Sequence, residues 1–311
     1  MYKKLRERVK KGIPKSWKLF FAILPFIIVT YLYCYRPLWG LGYAFVEYKP
    51  MVSIWDSEFV GLKFFRTFFE NNFRKKELLR VLRNTLVMNM IGFLTSYLAM
   101  FVTVLLNEVR SKRYKKLVQN AITVPHFISW IIVYSAFYQL LAPNSELIST
   151  LLREWGIIEG QFDILTSSDK GYAFMWLLGN WKSLGWSTII YFSALSGIDQ
   201  ELYEAAAIDG AGRFAKIRYI TLPGLMPTYI TLLIMSIGNF MSSDFEKAFV
   251  FCNSFNRDTV ENLSLYVYNI GLGSGDFSLA TAVGLFTSAV GLILMFASNY
   301  LAKKIRGTAI F

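Results

Sequence analysis

The chain is poor in the side chains that do covalent chemistry. Its 311 residues include one histidine, His126, and two cysteines, Cys34 and Cys252. A single imidazole excludes a histidine-rich metal centre and leaves a serine–histidine relay with one possible member. The two thiols show neither redox nor zinc spacing. Cys34 is expected to serve as a small buried apolar side chain, and Cys252 is uninformative. No G-x-x-x-x-G-K-[ST] segment occurs, so the chain has no phosphate-cradling loop of its own. Gly271-Leu272-Gly273-Ser274-Gly275 is glycine-rich but lacks the lysine, and reads as a turn. Acidic residues number 21 against 33 basic ones. No cluster of carboxylates or histidines marks one membrane face, as an enzyme acting on lipid-linked sugars would require. Internal repeats are not apparent, and the first apolar run is too long, and too poor in small residues, for a cleavable signal. No catalytic residue, metal site or bound cofactor is expected.

What the chain has in abundance is apolar and aromatic surface. It is 54% hydrophobic and 17% aromatic, with a mean hydropathy of +0.39. Several apolar runs approach the length of a bilayer crossing. The net charge of +12 lies in segments flanking those runs, where it sets topology and meets anionic headgroups; nucleic acid is not an expected partner. The expected fold is all-α and polytopic. It has six transmembrane helices, at about 19–35, 84–106, 121–141, 173–195, 224–243 and 281–301. Residues 1–18 form a basic cytoplasmic N-terminus and 19–311 a single transmembrane domain. Both termini are expected in the cytoplasm, because basic residues of the N-terminus, of 110–116 and of the tail then face inward. The stretch 74–83, with Arg74, Lys75, Lys76, Arg80 and Arg83, runs against that rule and reads as an interfacial amphipathic anchor.

Residues 199–223, between the fourth and fifth runs, are too polar for lipid. Asp199 suits a helix N-cap, with Glu201 and Glu204 at the positive end. Asp209-Gly210 is a turn dipeptide. Phe214, Ile217 and Ile220 recur at helical spacing, and Pro223 fits the start of the next span. Ala205 to Ala207 leave close-packing surface free.

Glu204-Ala205-Ala206, Asp209-Gly210-Ala211 and Leu222-Pro223 together resemble the EAA loop of membrane subunits of type I ABC importers. The opening YRPLWG and GYAFVEYKP, and the closing SLYVYNIGLGSGDFSLATAVGLF, are similar to permeases for complex oligosaccharides; Arg36 and Tyr300 depart from that pattern. The resemblance implies a cytoplasmic coupling loop that seats on an ATPase subunit through Glu204, Ala205, Ala206, Asp209, Gly210, Ala211 and Phe214. It also implies a second homologous permease, two ATPase subunits holding ATP and Mg, an extracellular solute-binding protein and an oligosaccharide cargo. The implied location is the cell membrane of a bacterium.

Lys182 lies near the middle of the fourth run, where a charge faces a cavity or a partner. With the flanking Trp181 and Trp186, and with Asn239, Ser242 and Asp244, it is a candidate for the substrate path; the same residues are equally suited to linking helices. His126 reads as a helix-packing residue. A self-sufficient secondary transporter or channel is the alternative, and would require ion-coupling groups of its own.

Overall fold

The computed structural model describes residues 17–141, 150–151, 153–156, 164–241 and 244–306. The described chain is helical almost throughout. Helix α1 (Trp17–Thr30) continues through a π-helical turn and a 3-10 segment, Arg36–Phe45. α2 (Lys63–Glu70) leads to α3 (Asn72–Leu94) and α4 (Leu98–Asn107), and then α5 (Lys112–Thr123) and α6 (Trp130–Leu141) follow. Next come α7 (Gly171–Ser196), α8 (Gln200–Ile208), α9 (Arg213–Lys216) and α10 (Leu222–Gly238). Three short helices, α11 (Phe245–Phe251), α12 (Arg257–Val260) and α13 (Leu263–Tyr268), precede the long α14 (Phe277–Arg306).

Among the described residues four stretches are long and apolar enough to cross a membrane: Phe20–Phe45, Asn72–Asn107, Arg213–Gly238 and Phe277–Tyr300. A fifth is added if α5 and α6 count as one crossing, but they meet at 99°. The chain is therefore a polytopic all-α membrane protein. Helices suit this setting because each satisfies its own backbone hydrogen bonds in lipid. The run at 121–141 is not the straight span its apolarity suggests. Pro125 lacks the N–H that would continue α5, so Val124–Phe127 tightens to 3-10 geometry and Ile128 is extended (φ −84°, ψ 130°). α7 has the length of a crossing at about 39 Å, but its polar residues keep it out of the apolar set.

The boundaries also differ at the second and fifth runs. α3 starts at Asn72, capped by Asn71 Oδ1 accepting from the Phe73 and Arg74 amides. Basic residues 74–83 are thus the first turns of this helix, not a separate interfacial anchor. Two of its arginines reach carboxylates distant in sequence: Arg74 pairs with Asp276 (3.5 Å), and Arg80, with a side chain 13% exposed, pairs with Glu261 (2.5 Å) as well as with its neighbour Glu77 (2.7 Å). The second half of the loop 199–223 runs into the next span without a break, because a π-helical turn at Ile217–Thr221 joins α9 to α10. Cys34 is exposed rather than buried. The reason is that the apolar window of the first span is 0% buried within this chain.

Three apolar clusters hold the bundle. One joins Ala44, Phe68 and Val81 to Leu263, Tyr266, Leu279 and Val283. A second joins Trp130 and Val133 to Phe174, Met175, Leu178, Phe251 and Val260. The third joins Ala99, Met100 and Val104 to Tyr191 and Leu225. Between α5 and α7 the approach is backbone to backbone: a Cβ at Gly185 would stand 2.1 Å from the Ile122 carbonyl oxygen. That contact is only open to glycine, in line with the use of small residues where membrane helices cross closely. Replacing Gly185 by Val is expected to push α7 off α5 at a cost of about 1–3 kcal/mol or more. Thermal melting of the detergent-solubilised protein should show the loss, and an unchanged melting temperature would refute this packing.

Candidate functional site

The α3–α4 arm, α7 and α10 line a cavity of about 590 Å³, to which Asp244, Lys247 and Asn262 also contribute. Its wall is more apolar than polar, and carries neutral hydrogen-bonding groups from Asn89, Thr95, Ser96, Asn180, Ser183 and Ser187. The break between α3 and α4 faces the cavity. There Thr95 Oγ1 donates to the Ile91 carbonyl (2.8 Å) and accepts from Trp176 Nε1 (2.9 Å), so side chains meet the needs left by the interrupted helix.

Of the residues selected from sequence, Lys182 and Asp244 line this cavity. The Lys182 ammonium lies 4.2 Å from the centre of the Trp130 ring. Trp181 instead meets Phe137 edge-on, and Trp186 stacks on His126 at 4.5 Å with planes 6° apart. Neither tryptophan is part of the cavity wall: Trp181 is turned to Phe137, and Trp186, although one helical turn beyond Lys182, is held against His126. Asn239 lines a separate recess with Met241, Thr287 and Gly291, and its amide donates to the Met235 carbonyl (3.3 Å). Ser242 lies outside the described residues. His126 both packs on Trp186 and lines the cavity.

Sequence reading missed Lys247, whose side chain is 15% exposed and whose ammonium lies 5.8 Å from the Trp130 ring centre. Burial pushes its pKa down, and Asp244, 3.8 Å away, works against that shift. The signal was a lysine within the aromatic run Phe245–Phe251. Sequence reading also missed Glu261, whose side chain is 0% exposed. Burial alone would raise its pKa. Hydrogen bonds from Arg257 (2.8 Å), Arg80 (2.5 Å) and Asn269 (2.8 Å) more than offset that and hold the carboxyl below its ordinary value. Asn84 Nδ2 donates to the Glu261 backbone carbonyl and Asn84 Oδ1 accepts from the Tyr172 hydroxyl, which ties α3 and α7 to the same hub.

The loop 199–223 is ordered. Asp199 accepts from the Glu201 amide (3.0 Å) and caps α8. At the other end Gly210 has φ +76°. The Ala211 amide donates to the Ala206 carbonyl (2.8 Å) and the Gly210 amide to the Ala207 carbonyl (3.1 Å). This is a Schellman ending, which needs glycine at the left-handed position. It gives the spacing of Glu204-Ala205-Ala206 and Asp209-Gly210-Ala211 a physical basis. The loop presents Ile208 and Phe214, 87% and 88% exposed, with Glu204, Ala205 and Asp209 also exposed. Ile208 was not selected from sequence. Tyr203 and Thr221 share a hydrogen bond (2.9 Å) that fastens α8 to the base of α10.

The family described as "Binding-protein-dependent transport system inner membrane component" matches residues 89–307, which include most of the cavity wall and the whole of this loop. The chain belongs to that family. It is 39% identical over 294 residues to Protein LplB of Bacillus subtilis, covering 94% of this chain and 91% of that one. To the polygalacturonan/rhamnogalacturonan transport system permease protein YteP of the same organism it is 39% identical over 305 residues, covering 97% and 92%. A chain from a crystal structure of a bacterial alginate ABC transporter, in complex with an alginate pentasaccharide-bound periplasmic protein, superposes with a TM-score of 0.85. It is 30% identical, covering 97% of this chain and 100% of that one. The protein is a permease subunit of a binding-protein-dependent ABC importer, an inner-membrane component and not an enzyme.

Glu261→Gln is expected to destabilise the permease by about 3–5 kcal/mol at neutral pH, because two arginines lose their shared carboxylate. The lowered pKa fixes the sign of the pH dependence. The contribution of Glu261 is complete above the ordinary glutamate value of about 4.3, and is lost as pH falls through its lower folded value. Melting temperatures measured from pH 7 to pH 3.5 should converge for wild type and variant; a constant gap would contradict the assignment.

Proposed function

We propose that this permease carries an oligosaccharide through a six-span path, with both termini in the cytoplasm and α8 as its coupling helix. The sixth crossing in this reading is α7, whose polar side face lines the cavity, and α5–α6 forms a broken crossing beside it. A second, homologous permease completes the path. Two ATPase subunits that bind ATP and Mg dock below, and an extracellular solute-binding protein delivers cargo above.

The observation that carries the reading is the coupling loop itself. The Schellman-capped end of α8 and the α9 turn that follows present two large apolar side chains, Ile208 and Phe214, almost fully exposed. An exposed apolar pair on a structured polar loop marks a protein contact. Glu204, Ala205, Ala206, Asp209, Gly210 and Ala211 frame that contact: the glutamate for charge, the alanines for close approach and Gly210 for the turn. α7 leads directly into this loop and α10 leaves from it, so a displacement at the ATPase reaches both cavity-lining helices as rigid rods. The neutral hydroxyls and amides of the cavity suit a carbohydrate, and the relatives' names point the same way.

The test is ATP hydrolysis by this chain, copurified with its coexpressed partners in nanodiscs, with and without candidate binding proteins loaded with oligosaccharide. Stimulation by a loaded binding protein is expected. Loss of the ATPase on purification, or indifference to every loaded binding protein, would sink the proposal. Gly210→Val should leave the complex in the membrane while reducing uptake per ATP hydrolysed by roughly tenfold or more, since a Cβ at positive φ disrupts the cap. Normal uptake by that variant would rule out the assigned role of the loop.

A further inference from the structure

The cavity wall carries an imbalance of charge. Lys182, from the middle of α7, and Lys247, from α11, bring their ammonium groups to one aromatic ring, at 4.2 and 5.8 Å from the centre of Trp130. One carboxylate answers them: Asp244, at 3.8 Å from Lys247. Among the described residues Lys182 forms no ion pair. The other titratable wall residues are His126, Tyr191 and Tyr229, which supply no negative charge near neutral pH. The face of an aromatic ring attracts a cation by about 0.5–2 kcal/mol, which falls well short of replacing its hydration or a counter-ion. Among the described residues the Lys182 ammonium thus stands on the cavity wall without a carboxylate of its own.

We infer that Lys182 and Lys247 form an anion subsite beside Trp130 that takes the carboxylate of an acidic sugar residue as the cargo passes. The inference rests on the oligosaccharide reading above and narrows it to saccharides bearing uronate groups. The chemistry fits both halves of such a residue. Both ammoniums meet its carboxylate, and the half-buried amides of Asn89 and Asn180 on the same wall meet its hydroxyls. Single ammonium groups without an arginine fork also suit a transit site, where binding must be weak enough for release. Asp244 sets the strength: it answers one of the two positive charges and leaves one for the cargo.

Direct binding to the permease separates this site from the selectivity of the binding protein. The assembled complex in nanodiscs, without binding protein, is titrated with tri-galacturonate and with the same trisaccharide after carboxyl reduction. The acid is expected to bind tighter by roughly tenfold or more. Lys182→Gln should abolish that difference and Lys182→Arg should retain it. Lys247→Gln provides a second variant should Lys182→Gln fail to assemble. Equal affinity for acid and neutral sugar, absence of binding by both, or full discrimination in an assembled Gln variant would each overturn the inference. Equal affinity would leave the oligosaccharide reading intact. That reading fails separately, if no oligosaccharide-loaded binding protein stimulates hydrolysis.

Discussion

The structure depends on where this chain can put charge inside an apolar molecule. Glu261 is fully buried, yet it accepts from Arg80, Arg257 and Asn269, and its own backbone carbonyl accepts from Asn84. A buried carboxylate is stable only with this degree of satisfaction. The arrangement fixes the start of α3, the turn at α12 and, through Tyr172, the start of α7 relative to one another. Those elements frame one end of the cavity. Lysines that find no such hub, Lys182 above all, face the cavity instead. One constraint, the cost of an unmatched charge away from water, thus yields both the rigid frame and the chemistry of the path.

At the opposite end the constraint is geometric. α7 passes α5 with no room for a side chain at Gly185 and then runs into the coupling loop. α9 fuses with α10 through a π-helical turn, so the loop is bounded by two continuous rods. The Schellman ending of α8 keeps the exposed Ile208 and Phe214 in register between them. Movement of the loop is consequently movement of two cavity walls, which is the structural requirement for alternating access.

The helix–turn–helix geometry of loop 199–223 was legible in the sequence because its determinants are local. An N-cap aspartate, a glycine at positive φ and the small residues before it act within a few positions of one another. The apolar runs were legible in the same way, as was Lys182, a charge out of place among aromatics. The basic stretch 74–83 was not, because Glu261, the buried carboxylate that Arg80 shares with Arg257, lies 181 residues away; an amphipathic surface helix and a buried ion-paired one look alike in sequence. The 99° turn after Pro125 was hidden by uniform apolarity on both sides. Trp181 and Trp186 were attractive by proximity to Lys182, but packing against Phe137 and His126, partners distant in sequence, takes them off the wall.

The central claim is that the loop 199–223 is where an ATPase subunit pushes on this permease. Replacement of Phe214 by a photoreactive benzoylphenylalanine tests it most directly, in the assembled complex and with illumination before and after ATP addition. The account predicts a covalent adduct with the ATPase subunit, with a yield that changes when ATP is bound. Adducts with lipid alone, or with no partner, would contradict it.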